Sequence, residues 1–60
     1  MNNSSSDMET ITLGETENFI AWRVTEPDGE DTYHVELSGV TLHFFEEEWR
    51  EFLDLLQKLT

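Results

Sequence analysis

Residues 40–59 change period without a break, and that change limits what the chain can build. Val40, Leu42 and Phe44 alternate with Thr41 and His43, the two-residue period of a strand with one buried face. Trp49, Phe52, Leu53, Leu56 and Leu59 then recur at three- and four-residue steps, the stripe of an amphipathic helix. Glu47, Arg50, Glu51, Asp54 and Lys58 fall away from that stripe. Such a stripe has to lie on an apolar surface, so the upstream residues are expected to form a sheet beneath it.

They have the composition to do so. Ile11 and Leu13 alternate with Thr10 and Thr12 as a short first strand, and residues 14–18 make a turn. Residues 19–25 form the strongest strand, with Ile20, Trp22 and Val24 on one face and Phe19, Ala21 and Arg23 on the other. Pro27-Asp28-Gly29 is turn chemistry, because proline presets one dihedral and glycine accepts a positive one. Tyr33, Val35 and Leu37 alternate with Thr32, His34 and Glu36, and Ser38-Gly39 reverses the chain into the strand at residues 40–44. The expected fold is α+β: a four-stranded antiparallel meander with one C-terminal helix on its inner face. Residues 1–8 are polar and without periodicity and read as a disordered leader, leaving residues 9–60 as a single small domain.

Sidedness sets the expected registers, since a one-residue slip turns a buried set outward. Pairing Val24 with Tyr33, Trp22 with Val35 and Ile20 with Leu37 keeps three apolar pairs on one face. Leu37 with Val40, Val35 with Leu42 and Tyr33 with Phe44 continues that face into the fourth strand. Pro27-Asp28-Gly29 also suits a three-residue loop with a glycine bulge, which would move the first of these registers by one. The apolar pattern favours the unshifted pairing.

The helix is expected to begin near Phe45 or Glu46 with no Ser, Thr, Asp or Asn cap. Glu46, Glu47 and Glu48 instead meet the positive end of the helix dipole. Glu46 with Arg50 and Asp54 with Lys58 are four-residue ion pairs in the favourable order. The acidic run is thereby accounted for as helix chemistry.

Sixty residues allow one domain, and the absence of cysteine removes disulfides and thiolate metal sites as supports for a small core. The apolar runs are too short to cross a bilayer and the first residues lack the regions of a signal peptide, so a cytoplasmic location is the default expectation. Fourteen acidic residues against three basic ones give a formal charge of -11, which repels nucleic acid and anionic membrane and favours basic protein partners. The same charge also serves as a solubility device, as in a high-salt cytoplasm.

With the apolar registers above, Arg23, His34 and His43 form a row on the open face of the sheet, with Phe19 on the same side; pairing Ile11 with Trp22 adds Thr10 to the row. The plain reading is that these are ordinary solvated positions on a face otherwise made of Thr12, Thr25, Thr32, Glu36 and Thr41; if the face binds anything, Phe19, Arg23, His34 and His43 are the candidate ligand- or partner-binding residues. Arg23 supplies a fork for an anion and the imidazoles add charge at mildly acidic pH. A metal held by His34 and His43, with Glu36 nearby, is a poorer reading, because two ligands without a spacing motif do not define a site. No metal or cofactor is expected. No nucleophile elbow, phosphate loop or helical zinc motif is present, so an enzyme is not expected.

Gly39-Val40-Thr41-Leu42 followed by Glu48-Trp49 and Leu53 resembles the closing strand and helix of the positive-cofactor type of single-stranded-DNA-binding transcriptional coactivators. The resemblance covers the last third of the chain. It implies a four-strand meander plus helix, dimerisation, and nucleic acid held on the open sheet face. In that family the face is basic and aromatic. Here only Phe19, Arg23, His34 and His43 match in type, and phosphate contacts need several Lys or Arg. The first expectation is thus a small acidic, non-enzymatic interaction module that docks a protein partner, as an acidic mimic of nucleic acid toward a basic surface, or docks itself as a homodimer. Weak single-stranded nucleic-acid binding is the second.

Overall fold

The turn between the second and third strands decides which side chains face the helix, and it takes the three-residue option with a glycine bulge. In the computed structural model, which describes residues 8–60, the amide of Gly29 donates to the carbonyl of Glu26 at 2.9 Å, and Glu26 N donates to Glu30 O at 2.7 Å. Gly29 has φ of 91°, the left-handed region that glycine enters without a Cβ penalty. Asp28 Oδ1 accepts from Glu30 N at 2.9 Å and locks the loop. Three residues, Pro27, Asp28 and Gly29, therefore lie between the closing pair, the glycine-bulge arrangement of a three-residue hairpin.

Four strands follow one another across one antiparallel sheet: β1 (Glu9–Glu15), β2 (Ile20–Thr25), β3 (Asp31–Glu36) and β4 (Thr41–Phe45), in the order β1-β2-β3-β4. The helix α1 (Glu46–Leu59) follows directly. This is the meander-plus-helix architecture that the change of period implies. The expected leader falls on residues 1–7, outside the described residues, apart from the exposed Met8.

The β3–β4 register agrees with the sequence: Tyr33 faces Phe44, His34 faces His43 and Val35 faces Leu42, with Leu37 N bonded to Val40 O across Ser38-Gly39 at 2.7 Å. The β2–β3 register does not. Arg23 faces Tyr33, Trp22 faces His34, Ala21 faces Val35 and Ile20 faces Glu36. The glycine bulge moves β2 by one residue, so Ile20, Trp22 and Val24 turn to the open face and Phe19, Ala21 and Arg23 turn toward the helix. The first hairpin is also displaced: Ile11 faces Arg23 and Thr12 faces Trp22, with an extra residue, Leu13, bulged between Thr12 and Gly14. Both Gly14 and Glu15, expected in the turn, belong to β1.

α1 begins at Glu46, and Glu48 Oε1 accepts from the Phe45 amide at 3.1 Å, the glutamate half of a capping box whose other half Phe45, with no side-chain acceptor, does not make. Arg50 bonds Glu46 at 3.1 Å and Lys58 bonds Asp54 at 2.7 Å, both on the solvent side. The helix is anchored by rings. Trp49 stacks on Tyr33 at 5.0 Å and meets Phe44 at 5.5 Å, while Phe52 stacks on Phe44 at 4.8 Å. Edge-to-face and offset contacts of this kind add to the area they bury.

Candidate functional site

A four-stranded sheet with strands ~4.8 Å apart is wider than one helix of ~10 Å diameter. Because Trp49 and Phe52 fasten α1 to Tyr33 and Phe44, the helix lies over β3 and β4. The inner face of β1 and β2 is left beside it as a groove of ≈ 650 Å³. Its floor is Leu13, Gly14, Phe19, Ala21, Val35 and Leu37. Its wall is Trp49, Phe52, Leu53 and Leu56 from the helix. No lining residue is charged, in a chain carrying -11. The consequence for burial is large: among the described residues only Val24 and Tyr33 are as little as 9% exposed, and no residue of α1 is buried. A smaller cleft of ≈ 400 Å³ on the β4 flank of the helix mixes Phe44, Phe52 and Leu55 with Glu48 and Glu51.

The four residues singled out from the sequence divide between two faces. His34 and His43 are together on the open face, their rings 4.6 Å apart edge to face. Phe19 and Arg23 are not with them, because the β2 register places both on the helix side, Phe19 on the groove floor and Arg23 opposite Ile11 and Tyr33. Arg23 makes no ion pair among the described residues, and its Nε is buried without a hydrogen-bond partner. The row that the structure builds on the open face is Thr12, Trp22, His34 and His43, with Thr12 rather than Thr10 at its end. Trp22 stacks on His34 at 5.2 Å with an 11° tilt.

Trp22 and the groove are the features that sequence reasoning missed. The signal was present in Pro27-Asp28-Gly29, whose bulge option carries Trp22 across to the histidines.

His34 lies among Trp22, His43 and Thr32, whose Oγ1 is 3.2 Å from His34 Nε2. Burial holds its imidazole below the ordinary value, the neighbouring His43 adds to this, and Glu26 pulls weakly the other way. Its Nδ1 is buried and unpartnered, so protonation would enclose an N–H with no acceptor. A cation-binding role for the pair lacks further ligands: among the described residues no three His, Cys, Asp or Glu side chains cluster to hold a metal. No described helix is long and apolar enough to cross a membrane.

With the groove and the aromatic row in view, the chain was compared with known proteins: no family model, no curated protein and no solved structure matches it.

Proposed function

We propose that the protein is a small acidic, non-enzymatic interaction module that takes a protein partner into the groove between α1 and the β1–β2 half of the sheet. The uncharged groove in a strongly acidic chain is the observation that carries this reading. Contiguous apolar surface rimmed by charge marks protein docking sites, because solvent exposure of that area is unfavourable and the surrounding carboxylates select what approaches. Two of the three basic side chains, Arg50 and Lys58, are engaged with carboxylates, so the outer surface is effectively anionic and favours a partner with a basic rim. A cytoplasmic setting fits this reading.

A second reading rests on Trp22, His34 and His43, a stacked aromatic row on which bases of a single strand would lie. It is the weaker of the two, because no Lys or Arg among the described strand residues shares that face to meet phosphate. The two separate in one pair of experiments. Titration with short single-stranded oligonucleotides at low salt is expected to leave the fluorescence anisotropy unchanged. Binding that weakens with salt and with Trp22→Ala would replace the first reading by the second. A partner retained by the native chain and lost by Leu53→Glu supports groove docking.

A further inference from the structure

We infer that the free edge of β4 accepts an extended segment of a basic protein as a fifth strand, on a surface separate from the groove and independent of it. The two edges of the sheet differ. β1 is blunted by the bulge at Leu13 and carries a glutamate at each end, Glu9 and Glu15. β4, Thr41–Phe45, has no bulge, proline, lysine or glutamate to deter pairing. The bond from Leu37 N to Val40 O makes that pair a hydrogen-bonded one, and in an antiparallel ladder such pairs alternate with open ones. Val40, Leu42 and Phe44 therefore direct their backbone groups to β3, whereas Thr41, His43 and Phe45 turn theirs outward. The Phe45 amide is taken by Glu48, which agrees with this parity and ends the open edge there. One donor and one acceptor on each of Thr41 and His43 are left for an incoming strand, whose main chain supplies the complement.

Charge and shape above that edge select the occupant. Side chains of an added strand alternate between faces, and those opposite Leu42 and Phe44 rise on the helix side into the cleft of ≈ 400 Å³. There Glu48, Glu51 and Leu55 stand at three- and four-residue steps along one side of α1, beside Phe44 and Phe52. A lysine or arginine fits this lining. Its methylene stem lies along Phe44, Phe52 and Leu55 while its charged end reaches Glu48 and Glu51. Glu51 makes no ion pair among the described residues, so its carboxylate is open to a new one. A second copy of the chain is disfavoured here, because pairing β4 with β4 would set the Glu48 and Glu51 of both helices side by side, at -11 per chain. A basic strand meets the opposite condition: the field of the chain draws it in and the cleft places its cations. Residues opposite Thr41 and His43 lie on the open face, away from the carboxylates, so the segment that fits carries lysine or arginine at alternate positions.

Amide hydrogen exchange followed by NMR on the native chain, with and without a capped peptide of alternating lysine and valine about six residues long, is the test. The Thr41 and His43 amides should exchange at least about tenfold more slowly with the peptide bound, and binding should weaken with added salt. N-methylation of the valine amides keeps every charge but blocks pairing with the lysines on the helix side, and should weaken binding at least about tenfold. Glu51→Gln, at an exposed helix position without an ion pair among the described residues, should weaken it about two- to fivefold, the scale of an exposed pair. Equal binding by the N-methylated peptide would mean attraction by charge alone and would overturn the inference. Shifts confined to Leu13, Phe19 and Ala21 would place the peptide in the groove and overturn it too, as would no binding at low salt. Slow exchange at Thr41 and His43 in a peptide-free dimer would give the edge to a second copy and overturn the assigned partner.

Discussion

The two halves of the sheet's inner face are built from similar residues and have different fates. Over β3 and β4, Tyr33 and Phe44 meet Trp49 and Phe52 in a ring cluster, and Tyr33 is 9% exposed. Over β1 and β2, Leu13 and Phe19 have no helix above them and stay 44% and 49% exposed. Apolar composition by itself therefore does not make a core. What separates the halves is that the chain supplies one helix and the sheet has width for two.

The largest expected effect comes from removing the centre of the covered half. Trp49→Ala deletes the stack on Tyr33 and the contacts with Phe44 and Phe52, and should cost about 3–5 kcal/mol in urea unfolding, enough to unfold a marginal domain. Leu13→Ala in dilute chain should cost less than ~1 kcal/mol, because half of that side chain is already in water. Equal losses at the two positions would break the comparison. Gly29→Ala comes next, at about 1–2 kcal/mol of thermal stability, since φ of 91° is strained for any residue with a Cβ although the space around it is open. Glu48→Ala removes the acceptor for the Phe45 amide and a first-turn carboxylate, and should cost about 0.5–1 kcal/mol, seen as fraying of α1 by circular dichroism.

The smallest effect is a pH dependence on the uncovered side of the sheet. His34 titrates below 6.5 in the folded chain, so the unfolded chain binds more protons in the window from 6.5 down to the lowered folded value. Its contribution to stability is present above pH 6.5 and is lost as pH falls through that window. His34→Gln should flatten melting temperature against pH there, and an unchanged slope would show that the ring is not held by Trp22 and His43.

Two hairpins show how far the sequence reaches. Between β3 and β4, Tyr33, Val35 and Leu37 carry an apolar set against Thr32, His34 and Glu36, so one face must be buried and the register follows. In β2, Ile20, Trp22 and Val24 oppose Phe19 and Ala21, and both faces are apolar. Sidedness then discriminates poorly, and the loop chemistry of Gly29 and Asp28 sets the register instead. The order of elements, the helix start and its ion pairs were legible because each rests on local spacing. The composition of the open face was not, since Arg23 and Trp22 exchange sides with a single-residue shift. The groove was not legible either, because it depends on where across the sheet the helix lies, which Tyr33 and Phe44 settle only once they are adjacent.

Half-coverage of the inner face is most directly tested by methyl NMR with a soluble paramagnetic agent, at several dilutions of the native chain. The Leu13, Ala21, Leu53 and Leu56 methyl signals should broaden strongly, with the methyls of Val24 shielded. Groove methyls that remain shielded in a dilute 7.1 kDa species would contradict the account, because the helix would then cover the β1–β2 half of the sheet as well.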